Sequence, residues 1–102
     1  MPETLTVRSP YDDAVIGTVP VSTAEDVDRA VLAAAAALRD HPLALWQRAE
    51  ILDTAARRLG ERLEEFATII AKEAAKPIKT ARAEAQRAVG TFQFAAAEAR
   101  KL

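Results

Sequence analysis

Alternating β-branched residues predict two short strands at the start of the chain. Residues 5–7 and 15–21 are rich in Thr, Val and Ile, which favour strands. Residues 9–13 contain a proline and two adjacent aspartates, a composition typical of a turn. Pro20 has no N–H to donate, so the second strand should lie at an edge or end there. We therefore predict a β-hairpin over residues 4–21, followed by a helical region over residues 22–102.

From Ser22 onward, apolar residues recur at the spacing of a helix. Ser22 and Glu25 fit a capping box, and Glu25 and Asp26 suit the positive end of a helix. This first helix, predicted at about 23–39, has one apolar face, which is formed by Val27, Val31, Ala34 and Leu38. The sequence Asp40-His41-Pro42 should end it.

Three further helices are predicted at about 43–59, 61–75 and 77–101. Pro42 and Pro77 suit the first turn of a helix, and Gly60 is a plausible terminator. The apolar face of the last helix consists of Ala81, Ala85, Ala88, Phe92, Ala95 and Ala99. The predicted fold class is therefore mainly α, a short N-terminal β-hairpin followed by about four helices.

The second and third predicted helices share one unbroken apolar stripe. It consists of Leu45, Ala49, Leu52, Ala56, Leu59, Leu63, Phe66 and Ile70. A single long helix would keep this stripe on one face, at a cost of about 1 kcal/mol for an internal glycine. Whether residues 43–75 form one helix or two is left open by the pattern. The stripe also suits a stand-alone helical module that binds a protein partner.

Composition predicts a small core. Alanine supplies 24 of the 102 residues, and the aromatic residues number five. An alanine stripe packs closely but buries little area per residue. We therefore expect the folded chain to depend on a further surface, supplied by another segment or another molecule.

Charge and cysteine content exclude several classes of function. The chain has 14 basic and 15 acidic side chains and no cysteine. A disulfide framework, a thiolate zinc site and a thiol nucleophile are thereby excluded, and neither nucleic acid nor an anionic membrane is an expected partner. No apolar run approaches the roughly 20 residues that span a bilayer, and the N-terminus lacks the basic and apolar regions of a signal peptide. A soluble, cytoplasmic location is the expectation.

The residues also predict no catalytic site. His41 is the only imidazole and lies in a predicted turn between helices, so we expect a surface or capping role. Asp12 and Asp13 adjoin in a turn, and Glu64 and Glu65 adjoin on a helix. Turn formation and a solvated helix face explain both pairs better than acid–base catalysis does.

Metal and phosphate sites are equally unsupported. Asp12, Asp13 and Asp26 lack the spacing of a calcium loop, and three scattered glycines form no phosphate-binding turn. The remaining charged cluster is interpreted as paired surface charge; it consists of Arg57, Arg58 and Arg62 with Glu61, Glu64 and Glu65. We predict no catalytic, cofactor-binding or metal-binding residue in this chain.

Five segments, in order, resemble the N-terminal region of NAD(P)-dependent aldehyde dehydrogenases. Residues 9–19 are similar to that family's hairpin, and residues 23–31 to its first helix. The other matching segments are Arg-Ala-Glu-Ile-Leu at 48–52, Glu-Ala-Ala-Lys-Pro-Ile at 73–78, and the pair 81–84 and 91–96. The residues around Lys76-Pro77 and Thr91-Phe92 most resemble those of the family branch that acts on lactaldehyde and, without phosphorylation, on glyceraldehyde 3-phosphate.

The resemblance implies an incomplete piece of an α/β cofactor-binding domain. In the family, the Rossmann cofactor turn, the catalytic Glu and the nucleophilic Cys all follow the region matched here. The parent enzyme would use NAD or NADP, whereas this chain alone should bind no cofactor and catalyse nothing. The expected partners are the remainder of the parent enzyme, or a second copy through apolar helix faces.

Three positions depart from the family pattern. Ser9 replaces the usual Asn, Asp13 replaces a turn glycine, and Ala75 replaces the glycine before Lys-Pro. Asp tolerates a left-handed backbone better than Ala does. The third helix is therefore expected to run without the usual glycine break up to Lys76, where Pro77 ends it.

Overall fold

The computed structural model describes residues 3–102, in which a two-stranded hairpin precedes four helices. The predicted fold class is confirmed. The strands are β1 (Thr4–Arg8) and β2 (Val15–Pro20). The helices are α1 (Ala24–Asp40), α2 (Leu45–Glu61), α3 (Leu63–Ala74) and α4 (Ile78–Ala99).

The hairpin is antiparallel and has one apolar face. Leu5 pairs with Val19 and Val7 with Gly17, and a bulge between Val7 and Arg8 shifts the register near the turn. β2 ends at Pro20, in keeping with the missing donor there. The turn places Asp13 at φ 59°, a left-handed conformation that aspartate tolerates.

Helix α1 begins one residue later than the capping motif predicts. The cap is Thr23, whose hydroxyl accepts a hydrogen bond from the Asp26 N–H, while the Asp26 carboxylate accepts one from the Thr23 N–H. The predicted Ser22–Glu25 pair is therefore wrong by one residue, because Asp26 makes the same reciprocal bonds that Glu25 was expected to make. No α1 residue is buried, and the helix packs extensively against no other element.

The stripe over residues 43–75 is divided between two helices, and the break is not at Gly60. Gly60 lies inside α2, which runs on to Glu61, and Arg62 alone leaves helical geometry. Pro42 lies outside the helix; Ala44 caps α2, and its N–H donates to Gln47 Oε1 at 2.8 Å. The prediction that Gly60 ends the helix is wrong, because a glycine inside a helix lowers its stability by only about 1 kcal/mol relative to alanine.

Ala75 corrects a second expectation. It adopts φ 54° and ψ 35°, so α3 ends at Ala74 and does not continue into Lys76. Pro77, which caps α4, disfavours helical geometry in the residue before it. Alanine thus takes the left-handed position that usually falls to glycine, at a strain of roughly 1–2 kcal/mol.

Helix α4 lies along both α2 and α3, and alanines form the contact. The buried residues are all alanines and define what we call the alanine seam: Ala49, Ala56, Ala67, Ala81, Ala85, Ala96 and Ala99. Partly buried Leu63, Phe66 and Ile70 pack against Ala67, Ala81 and Ala85. The methyl groups let the helices approach closely, but no large side chain is fully buried.

The resulting molecule is flat. Its Cα extents are 46 × 39 × 17 Å and its radius of gyration is 17.6 Å, against about 13 Å for a compact chain of this length. The accessible area is 7996 Å², whereas a compact monomer of this mass exposes about 5,600 Å². The surplus of roughly 2,400 Å² confirms that the core is small.

Candidate functional site

The paired aspartates of the hairpin serve the turn. Asp12 Oδ1 accepts a hydrogen bond from the Ala14 N–H at 3.1 Å, and Ser9 Oγ accepts one from the Tyr11 N–H at 3.2 Å. The Asp13 carbonyl accepts one from Arg8 Nη1 at 3.1 Å. These contacts fix the geometry of the turn.

Glu64 and Glu65 also have separate structural partners. Arg82 Nη2 donates a hydrogen bond to Glu64 Oε1 at 2.6 Å, and Arg62 Nη2 donates one to Glu65 Oε1 at 2.7 Å. The hydrogen bond from Arg82 lowers the pKa of Glu64, and that from Arg62 lowers the pKa of Glu65. Both carboxylates therefore stay ionised near neutral pH, which is unsuitable for a general acid.

His41 is the C-terminal cap of α1. Its N–H donates to the Ala37 carbonyl at 2.9 Å, which closes the helix. With Leu38, Leu43 and Arg48 it lines an open hollow of about 410 Å³. The predicted capping role fits this geometry.

Residues 3–102 were searched for the side-chain groups that hold metals and for the turns that hold phosphates. No cluster of three metal-ligating side chains occurs among them. Gly17 lies in a strand and Gly60 and Gly90 lie in helices, so none forms a phosphate-binding turn. The one sheet in this described part is an antiparallel hairpin, and it offers no switch point between parallel strands. No helix of the described chain is long and apolar enough to cross a membrane.

Three ion pairs between distant residues were not predicted from the sequence. Glu64 bonds Arg82 across α3 and α4, and Asp53 bonds Arg100 at 2.6 Å between α2 and the end of α4. The third joins Lys76 to Glu84, also at 2.6 Å. Two of them span 18 and 47 residues, beyond the i,i+4 spacing that a sequence pattern reveals.

Large apolar side chains are exposed on α1 and α2. Val27, Val31 and Leu38 of α1 are 55%, 62% and 68% exposed. On α2, Trp46 and Ile51 line a shallow groove of about 1000 Å³. Exposed apolar surface of this extent marks a place where another surface docks.

Comparison with known proteins assigns the family. The model of the aldehyde dehydrogenase family matches residues 1–102. The 3-sulfolactaldehyde dehydrogenase of Priestia megaterium is 37% identical over 100 residues, which are 98% of this chain and 21% of that protein. The lactaldehyde dehydrogenase of Methanocaldococcus jannaschii is 36% identical over 97 residues, 92% of this chain and 20% of that protein.

A comparison with solved structures also finds members of this family. The glyceraldehyde-3-phosphate dehydrogenase GapN of Methanocaldococcus jannaschii, complexed with NADP, superposes with a TM-score of 0.84 at 35% identity. The match covers 94% of this chain and 21% of that one. The chain spans about a fifth of the length of the curated relatives it matches, and it aligns to their N-terminal part.

Proposed function

The chain belongs to the aldehyde dehydrogenase family, and from this we propose that it is the N-terminal structural part of an enzyme that oxidises an aldehyde to a carboxylic acid. Its own role is to build and brace the cofactor-binding domain. The lactaldehyde, 3-sulfolactaldehyde and glyceraldehyde-3-phosphate dehydrogenases among its relatives point to a small oxygenated aldehyde as substrate.

The chemistry of the complete enzyme needs groups that this chain does not contain. A cysteine thiolate would add to the aldehyde carbonyl, and the resulting thiohemiacetal would lose hydride to NAD or NADP. Water would then release the acid from the thioester. The chain has no cysteine, so we propose that the thiol, the catalytic Glu and the Rossmann turn come from the other four-fifths of the enzyme.

One observation carries this proposal. A chain that matches the family over its whole length exposes roughly 2,400 Å² more than a compact protein of its mass. Surface of that extent is what a part of a larger domain leaves open. The hairpin face of Leu5 and Val19 and the outer face of α2 would be covered by the rest of the enzyme.

The alternative, a stand-alone interaction module that uses the stripe from Leu45 to Ile70, has less support. That stripe is occupied within the chain, because Ala49 and Ala56 are buried and α4 packs along α2 and α3. Leu63, Phe66 and Ile70 of the stripe pack against the buried cluster that includes Ala81 and Ala85 of α4. A partner could not reach it without displacing α4.

Complementation in trans tests the proposed function. The chain alone should show no NAD(P)+-dependent oxidation of lactaldehyde. Mixed with a lactaldehyde dehydrogenase from which the matching N-terminal fifth has been removed, it should restore activity. The matched control is the Ala67→Asp variant of this chain, whose charge in the seam should prevent folding and hence rescue. Oxidation by the chain alone, or rescue by both versions, would contradict the proposal.

A further inference from the structure

The break between α2 and α3 has no local signal in the sequence. Arg62 alone separates the two helices, at φ −112° and ψ 24°, and the apolar stripe continues on both sides of it. The other breaks between helices carry such signals, because Pro42 follows α1, and the left-handed Ala75 and Pro77 follow α3. At Arg62 no side chain caps α3, and residues 61–63, which are Glu-Arg-Leu, favour helices.

The side chains at this joint suit an uninterrupted helix equally well. Arg57 bonds Glu61 four residues further on, and Arg62 bonds Glu65 three residues further on. Both spacings are those of neighbours on one helix. The Arg62 guanidinium also lies 5.4 Å from the centre of the Phe66 ring, which is another i,i+4 contact. These local contacts therefore do not require the break.

The break leaves backbone donors without helical partners. The Arg62 N–H donates to the Arg58 carbonyl at 3.2 Å, and the Phe66 N–H donates to the Arg62 carbonyl at 3.1 Å. Leu63 and Glu65 lie in the first turn of α3, so their N–H groups have no acceptor within that helix. A continuous helix would join both donors to the carbonyls four residues earlier. The segment by itself therefore gains hydrogen bonds when the joint closes.

Helix α4 holds the joint open. α2 and α3 make few contacts with each other, whereas both pack extensively along α4. Near the start of α4, Arg82 bonds Glu64 of α3, and just beyond its end Arg100 bonds Asp53 of α2, both at 2.6 Å. Ala85, between these two pairs, is buried in the alanine seam. The two ends of α4 are thus tied to helices on opposite sides of the break.

We propose that α4 acts as a strap that keeps α2 and α3 bent, and that the two join into one continuous helix over residues 45–74 when α4 is detached. This helix is well above the roughly 12–15 residues below which isolated helices are marginal. It carries the stripe from Leu45 to Ile70 on one exposed face, so docking of α4 both bends the segment and covers the stripe. The proposal concerns the helices of this chain and does not rest on the proposed function.

Amide exchange followed by NMR on the full chain tests the joint. Ala85→Asp places a charge in the seam and should detach α4, whereas Ala83→Asp makes the same change on the exposed face of α4 and should leave it docked. In Ala85→Asp the amides of α4 should lose protection. Those of Leu63 and Glu65 should gain about 3-fold or more over the wild type, because they acquire acceptors in a partly formed isolated helix. No gain at these two amides overturns the proposal.

A distance measurement between spin labels tests the shape. The chain has no cysteine, so Arg48→Cys and Glu73→Cys, both at exposed positions, introduce the sole thiols. In a continuous helix the two backbone sites lie about 37 Å apart, and the bend at Arg62 makes this distance shorter in the wild type. Ala85→Asp should lengthen it to about 37 Å with a narrow distribution, and Ala83→Asp should keep the wild-type distance. A short distance retained in Ala85→Asp would show that the bend is encoded locally, and a broad distribution would show that the segment unfolds. Either result overturns the proposal.

Discussion

Helices α1 and α4 are both rich in alanine and both amphipathic, yet they differ in what covers them. α4 buries Ala81, Ala85, Ala96 and Ala99, whereas α1 buries nothing. The difference lies in the surface opposite each helix. α2 and α3 present small residues to α4, so that the backbones approach closely, whereas α1 faces no other element extensively. An amphipathic stripe therefore predicts that a helix forms, but the stripe is buried only where another element presents a matching apolar surface.

The same contrast divides the whole chain into two regions. We call residues 45–99, which are held by the alanine seam, the seam region, and residues 3–40, the hairpin and α1, the open region. Ion pairs between helices occur in the seam region, where Arg82 bonds Glu64. Within the open region the cross-element polar contacts are local, as in the turn of the hairpin. Stability should accordingly be concentrated in the seam region.

Hydrogen exchange should show the largest difference between the two regions. Amides of α2–α4 should open with free energies that approach that of global unfolding. Those of α1 should exchange almost as freely as an isolated 17-residue helix, which is marginal in water. Equal protection of α1 and α4 would show that the two regions fold as one unit.

Overfilling the seam should have the next largest effect. Ala67 is fully buried against Ala81 and Ala85. Ala67→Leu should therefore lower the free energy of unfolding by about 1–3 kcal/mol. Ala33→Leu makes the same change on the exposed surface of α1 and should stay within about 0.5 kcal/mol of the wild type. Urea denaturation monitored by circular dichroism measures both, and a tolerated Ala67→Leu would mean that the seam is loosely packed.

The sequence predicts the elements of both regions well, because their signals are local. Strand alternation, apolar helical spacing and the Pro77 breaker all act within a few residues. The break between the second and third helices was predicted at Gly60 and lies two residues further on, at Arg62. The left-handed backbone of Ala75 was not expected, because alanine seldom adopts it. The bond between Arg100 and Asp53 links residues 47 apart, and no local pattern contains that information.

The site was predicted in the same uneven way. Roles for Asp12, Asp13 and His41 in turns or caps follow from their residue types and neighbours. The ion pair of Glu64 with Arg82 could not be predicted in this way, because Arg82 lies on a different helix. Which apolar stripe remains exposed is equally a tertiary property, since α1 and α4 have similar patterns and only the packing separates them.

Relieving backbone strain should have a smaller effect, and only in the seam region. Ala75 and Asp13 both have positive φ values, 54° and 59°. Ala75→Gly should raise the free energy of unfolding by about 1 kcal/mol, the strain relieved less the extra entropy of an unfolded glycine. Asp13→Gly removes a smaller strain, because aspartate tolerates a left-handed backbone. The hairpin meets the helices at a pocket that Ser9 and Tyr11 share with Ala75, and the variant should leave the urea midpoint nearly unchanged. Equal gains in both variants would show that the hairpin unfolds together with the helices.

The smallest expected effect is a loss of stability in acid that originates in the seam region. The hydrogen bond from Arg82 holds the pKa of Glu64 below its ordinary value of 4.5, and the bond from Arg62 does the same for Glu65. A carboxyl whose pKa is lower in the folded state stabilises the fold above its unfolded pKa, and this stabilisation is lost as the pH falls through the folded pKa. The urea midpoint should therefore decline as the pH falls below about 4.5, and Glu64→Gln should make that decline shallower.

Glu50→Gln, which removes the same charge from α2, is the control and should keep the wild-type profile. Because both pairs are exposed, 0.5 M salt should reduce the difference between Glu64→Gln and wild type. An identical acid profile for Glu64→Gln and wild type at low salt would show that this pair between α3 and α4 contributes nothing to the stability of the seam region.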